Sequence, residues 1–153
     1  MIYLCVIVAV LVLDRLVKSN ISTGMSPGET TSVIGDFFHI TYVQNTGAAF
    51  SMLEGHMTLL IVVPAVIITI AFFFIIFKHK AYKPIFMYAL SLMIGGGLGN
   101  LLDRAAYGYV IDMFDFGSFP VFNVADIAVC AGCGLLVVYM IVYESKNPKQ
   151  KGR

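Results

Sequence analysis

The stretch "IFMYALSLMIGGGLGNLLDR", residues 85–104, decides the class of protein. Its first part, residues 85–102, carries no charged side chain and approaches the ~20 apolar residues that a helix needs to cross a bilayer. Gly95, Gly96 and Gly97 lie inside this run. Small residues there let neighbouring helices or a substrate approach closely, so "GGGLG" does not read as a nucleotide loop. The stretch then turns polar. Asn100, Asp103 and Arg104 are spaced i, i+3, i+4 and share one helix face where the span exits.

Three further apolar runs flank it, at residues 2–18, 59–77 and 124–143. Pro64 inside the second is a potential kink that neighbouring helices can accommodate. Composition agrees with a membrane protein. Of 153 residues 59% are hydrophobic and 12% charged, against about 25% charged in soluble domains, and the mean hydropathy is +0.87. A net charge of +1 without a basic stripe excludes a nucleic-acid partner. No basic residue precedes the first apolar run and no A-x-A site follows it, so a retained helix is expected rather than a cleaved leader. Asp14 and Lys18 lie four apart on that helix and can pair.

The basic residues orient the chain. "KHKAYK" (78–83) holds three lysines and the tail "ESKNPKQKGR" (144–153) four basic residues, whereas residues 19–58 hold none. The positive-inside rule puts both termini and the short loop in the cytoplasm, with the long loops, about 19–58 and 103–123, outside. "DFFHITYV" (36–43) and "YVIDMFDFGSFPVF" (109–122) are rich in β-branched and aromatic residues and read as strands on the outer surface. The expected fold is a single polytopic domain over residues 1–153. It is an all-α integral membrane protein with four transmembrane helices and a small extracytoplasmic β-cradle.

Polar groups gather at one depth: Asp14, then Asn100, Asp103 and Arg104, then Asn123 and Asp126, with Asp112 and Asp115 in the loop between. Ionisable groups at a membrane boundary are costly and mark functional sites. Two aspartates held together cannot easily both ionise, so one keeps a proton while the other is a base. That pair can activate water and polarise a carbonyl. Against this stands a plainer role, with Asp103 and Arg104 as an interfacial ion pair and the loop aspartates merely solvated. Other chemistries fit less well. There is no H-E-x-x-H and His39, His56 and His79 are dispersed, which argues against zinc. No G-x-S-x-G occurs, and a Ser51–Lys18 dyad competes with Asp14 for the lysine. Cys130 and Cys133 form a C-x-x-C, but in an apolar run of small residues suited to helix packing.

Five blocks in order carry a resemblance to the lipoprotein signal peptidases (signal peptidase II), the membrane aspartic proteases of bacteria. They are "DRLVK" (14–18), "NTGAAFS" (45–51), "GGGLGNLLDR" (95–104), "VIDMF" (110–114) and "VFNVAD" (121–126). The resemblance implies an endopeptidase that removes signal peptides from diacylglyceryl-modified prolipoproteins, cutting on the amino-terminal side of the lipidated cysteine. It implies Asp112 and Asp126 as the catalytic pair, and Asn45 and Arg104 as anchors for the substrate backbone. Gly47, Asn100, Asp103 and Asn123 would support the site, and Asp14 and Lys18 would hold the first helix. The implied partners are those prolipoproteins and membrane lipids. Neither a metal nor an organic cofactor is implied, and the implied location is the bacterial inner (cytoplasmic) membrane, with the site near its extracytoplasmic face. Met113 follows Asp112 where the family block often has Phe, so "Asp115-Phe116" offers a rival register. The alternative function is a non-catalytic four-helix membrane protein or a proton-coupled transporter subunit.

Overall fold

The computed structural model describes residues 2–47 and 55–144, so Ala48–Ser51 of the "NTGAAFS" block and the basic tail beyond Glu144 lie outside the described residues. The chain runs α1 (Ile2–Gly24), β1 (Thr30–Ile34), β2 (Phe38–Asn45), α2 (Met57–Lys78), α3 (Pro84–Tyr107), β3 (Val110–Asp115) and α4 (Val124–Tyr139), which continues as a π-helical turn, Met140–Glu144. Among the described residues three helices are long and apolar enough to cross a membrane: Met57–Lys78, Pro84–Tyr107 and Val124–Val142. The 23-residue α1 has the length, but it carries Asp14, Arg15 and Lys18 within its apolar run. Pro64 sits inside an uninterrupted α2.

The stretch that decides the class also organises the bundle, because α3 packs against α1, α2 and α4. Consecutive glycines address different partners. A Cβ on Gly95 would meet Val10 Cβ at 2.9 Å on α1, one on Gly97 would meet Ile68 Cδ1 at 2.9 Å on α2, and one on Gly96 would run into the Ala125 carbonyl on α4. Close approach of three helices thus depends on the absence of three side chains. Ile7, Ile75, Met87 and Ile94 form the core at one end of the bundle. On α2 the outward residues, Val62, Val66, Ile70 and Phe73 among them, stay exposed, as a lipid-facing surface requires.

Two boundaries differ from the sequence expectation. α3 continues past residue 102 to Tyr107 and stops at Gly108, which adopts φ 77° and returns its N–H to the Arg104 carbonyl at 3.0 Å. Asp103 and Arg104 are therefore helical rather than loop residues. α1 likewise runs to Gly24, because Val17, Ile21 and Met25 pack beneath the sheet against Tyr42, Ile111 and Met113.

The sheet is antiparallel in the order β1-β2-β3. Both expected strand regions form, as β2 and β3, and Phe122 bridges back to Phe114. β1 is an addition, and its "TTSVI" sequence is β-branched but exposed along its whole length. Pairing to β2, not burial of a face, holds it. Val43 lies opposite Asp112 and Asn45 opposite Val110, so β2 carries Asn45 to the side of Asp112.

Candidate active site

Side chains alternate along β3. Ile111 and Met113 turn into the core with Tyr42, while Val110 and Asp112 line a cavity on the other face. Met113 is fully buried, so an apolar filler is what this position requires, and methionine serves. Asp112 is 2% exposed. Its Oδ2 accepts from Asn45 Nδ2 at 2.9 Å and its Oδ1 from Asn123 Nδ2 at 2.6 Å. Burial pushes its carboxyl up to about 6; the Asp126 charge adds to the rise and the two amide donors oppose it.

Asp126 belongs to the start of α4. Asn123 is the N-cap: its Oδ1 accepts from Asp126 N–H at 2.9 Å, and its own N–H donates to Asp126 Oδ2 at 3.2 Å. This reciprocal capping box fixes the carboxylate against the helix end. The other oxygen, Oδ1, accepts from Asn100 Nδ2 at 2.8 Å. The i, i+3 spacing of Asn123 and Asp126 therefore marks a helix start rather than a shared helix face. Asn123 touches both acids, one through its side chain and the other through its backbone.

Behind the acids lies an ion cluster. Lys18 Nζ sits 2.8 Å from Asp14 Oδ2, 2.8 Å from Asp103 Oδ2 and 3.0 Å from Asn100 Oδ1. Asp14, Lys18 and Asp103 are at most 1% exposed. Asp14 Oδ1 also accepts from the Ala125 N–H at 3.0 Å, which ties α1 to α4 beside Asp126. Arg15 pairs with Asp103 Oδ1 at 2.8 Å and donates to the Gly99 carbonyl at 3.2 Å. The face expected to carry Asn100, Asp103 and Arg104 together is thus divided. Asp103 turns to α1 and pairs with Lys18 and Arg15 instead of Arg104, and it also accepts from the Ile111 N–H at 3.3 Å. Sequence reasoning missed Arg15, although it lies within the "DRLVK" block.

Arg104 reaches the opposite way. Its Nη2 donates to the Gly47 carbonyl at 2.7 Å, and its Nε has no acceptor among the described residues. Gly47 N–H donates to Asn45 Oδ1 at 2.9 Å, which orients the amide so that its Nδ2 faces Asp112. Asn45, Asn100, Arg104, Asp112 and Asp126 form the polar side of a cavity of about 590 Å³. Phe119, Phe122, Ile127, Val129 and Cys130 form its apolar side.

Asp115 is not part of this cavity lining. It closes the turn after β3, accepting from Thr41 Oγ1 at 2.7 Å and from the Gly117 N–H at 2.8 Å. The Gly117 N–H, then Thr41, hold its carboxyl below the usual range. No group of three His, Cys, Asp or Glu among the described residues is placed to hold a metal, and Cys5, Cys130 and Cys133 are free.

The family described as "Signal peptidase (SPase) II" matches residues 6–142. Curated relatives named lipoprotein signal peptidase include those of Halothermothrix orenii, 44% identical over 92% of this chain and 94% of the relative, and Moorella thermoacetica, 41% identical over 88% and 89%. A third, from Streptococcus pneumoniae, is 41% identical over 90% and 94%. Two solved structures described as bacterial membrane enzymes superpose with TM-scores of 0.85 and 0.82, at 31% and 32% identity. The alignments cover 99% and 92% of this chain, and 92% and 93% of the solved chains.

Proposed function

The chain belongs to the signal peptidase II family and is accordingly a membrane aspartic peptidase that removes signal peptides from prolipoproteins; we propose how its own residues divide that work. Family membership displaces the alternative of a non-catalytic or transporter protein. In this proposal Asp112 and Asp126 are the catalytic pair. The observation that carries it is that Asn123 holds one acid at 2.6 Å through its side chain and the other at 3.2 Å through its backbone N–H, with both facing one cavity.

The two environments separate the roles. Asp112 is buried and retains its proton to about pH 6. Asp126 lies in the first turn of α4, where the positive end of the helix dipole favours a negative charge. Asp126 then takes a proton from the attacking water while Asp112 donates a hydrogen bond to the scissile carbonyl and next protonates the leaving amine. Arg104 Nε, a buried donor without an acceptor among the described residues, is placed to bind a backbone carbonyl of the substrate, and Asn45 assists. The apolar wall of Phe119, Phe122 and Ile127 suits the end of a hydrophobic signal helix.

The finer assignments belong to the same proposal. Cleavage falls on the amino-terminal side of a diacylglyceryl cysteine, whose lipid keeps the scissile bond at the membrane surface. α1 is a fourth span within one polytopic domain in the bacterial inner (cytoplasmic) membrane. Both termini face the cytoplasm, and the site lies near the extracytoplasmic face, in contact with bilayer lipids. The test is cleavage of a diacylglyceryl prolipoprotein peptide by the purified protein. Asp112→Asn, Asp126→Asn and the double variant should lose activity to similar extents, as residues acting as a unit do. Normal turnover by either single variant would remove the pair. Cysteines introduced at Lys80 and Glu29 test topology: an impermeant external reagent should label position 29 and not position 80.

A further inference from the structure

The acids lie within a charge cluster drawn from four elements. α1 supplies Asp14, Arg15 and Lys18, α3 supplies Asp103 and Arg104, β3 supplies Asp112 and α4 supplies Asp126. Tyr109 also faces Asp103, but its hydrogen bond with Tyr42 pushes its phenol up, so it adds no charge near neutrality. Four carboxylates against three cations leave one negative charge when both site acids are ionised. The cluster is neutral when Asp112 and Asp126 share one proton, and a low-dielectric site penalises departure from neutrality.

Lys18 is joined to both acids by short paths. Its ammonium donates to Asn100 Oδ1 at 3.0 Å, and Asn123 Nδ2 donates to the same oxygen at 3.0 Å. Two donors on the oxygen leave Asn100 Nδ2 to face Asp126 at 2.8 Å, while Asn123 continues to Asp112 at 2.6 Å. A reversed Asn100 would aim an N–H at an ammonium and a carbonyl oxygen at a carboxylate. Lys18 is fully buried and does not line the cavity, so it meets no substrate.

We propose that Lys18 is a positioning residue that sets the proton count of the Asp112–Asp126 pair, by fixing the Asn100 amide and by completing the charge balance behind the site. This rests on the proposed roles of the two acids. The signature is a shift in pH dependence, because removing one positive charge makes both protons of the pair harder to remove.

The experiment is the pH profile of kcat for a diacylglyceryl prolipoprotein peptide. Lys18→Met should move both limits of the profile upward by on the order of one pH unit. Asp14→Asn, which removes a negative charge from the same cluster, should move them downward. The double variant Lys18→Met with Asp14→Asn should return them towards the wild-type position, and Lys18→Arg should keep them there. If Lys18→Met is not recovered folded, the direction of the Asp14→Asn shift decides. Lower maximal rates with limits fixed at the wild-type positions would reduce Lys18 to scaffolding and overturn the inference alone. A wild-type protein that leaves the peptide uncut would remove the proposed function and this inference together.

Discussion

Asp112→Asn should stabilise the protein at pH 8 while abolishing its activity. In the folded chain the Asp112 carboxyl is raised from 3.8 to about 6, chiefly by burial. At ~1.4 kcal/mol per unit, a shift of this size corresponds to about 3 kcal/mol. The sign follows from linkage. The folded state binds the proton more tightly than the unfolded chain, so this stability is fully present below about pH 3.8 and is lost as pH rises through about 6. Asparagine copies the protonated acid: each presents one acceptor oxygen and one donor group to Asn45 and Asn123, which both donate here. The one donor facing a donor is common to both, so variant and wild type should unfold together below about pH 3.8 and nearly so at pH 4. By pH 8 the variant should be the more stable by about 3 kcal/mol, the linkage value. Denaturant unfolding in detergent, at intervals from pH 4 to 8, measures the difference. A difference that stays flat across that range, or that favours the wild type as pH rises, would refute the assignment of Asp112 as the buried, proton-retaining acid.

Lys18→Met leaves the buried Asp14 carboxylate without its cation and Asp103 with Arg15 alone, and should cost about 3–5 kcal/mol in the same unfolding assay at pH 7, whereas Lys18→Arg should cost less. Gly96→Val forces a side chain into the Ala125 carbonyl and displaces the start of α4, so peptide cleavage should fall more than ~10-fold, the effect of about 1.4 kcal/mol on a barrier. Gly134→Ala, with open space around it, should leave cleavage near wild type. Asp115→Asn should also leave cleavage near wild type, because its partners are the Thr41 hydroxyl and the Gly117 N–H at the far end of β3; abolished cleavage would restore the rival register.

The apolar runs were legible because a bilayer demands about 20 such residues at a stretch. The ends of α1 and α3 were not, since residues 19–24 and 103–107 lie beyond the apolar runs and continue the helices where Ile21 packs under the sheet and Asp103 pairs with α1. β1 escaped notice because it buries no face and exists through its pairing with β2. Among the site residues, the i, i+4 pair Asp14–Lys18 is local and could be read directly. The partners of Asp103 could not: its neighbour Arg104 was the natural candidate, yet the contacts are to Arg15 and Lys18 on another helix. The spacing of Asn123 and Asp126 was visible, but it serves two geometries, a helix face and a capping box, and only the position of the helix start decides between them.

The tie between Lys18 and Asn100 joins residues 82 positions apart. During synthesis α1 reaches the membrane long before α3 is made. In that interval Asp14 and Lys18 can neutralise each other along their own helix, but Arg15 waits for Asp103. If α1 spans the membrane as proposed, it is a conditional span, whose lasting residence in the bilayer depends on a helix from the second half of the chain. A chain interrupted between α2 and α3 would leave α1 with Arg15 unpaired. Supplying the missing half as a separate polypeptide should restore both the pairing of that cation with Asp103 and the carboxylate geometry at α4, because the same cluster secures each.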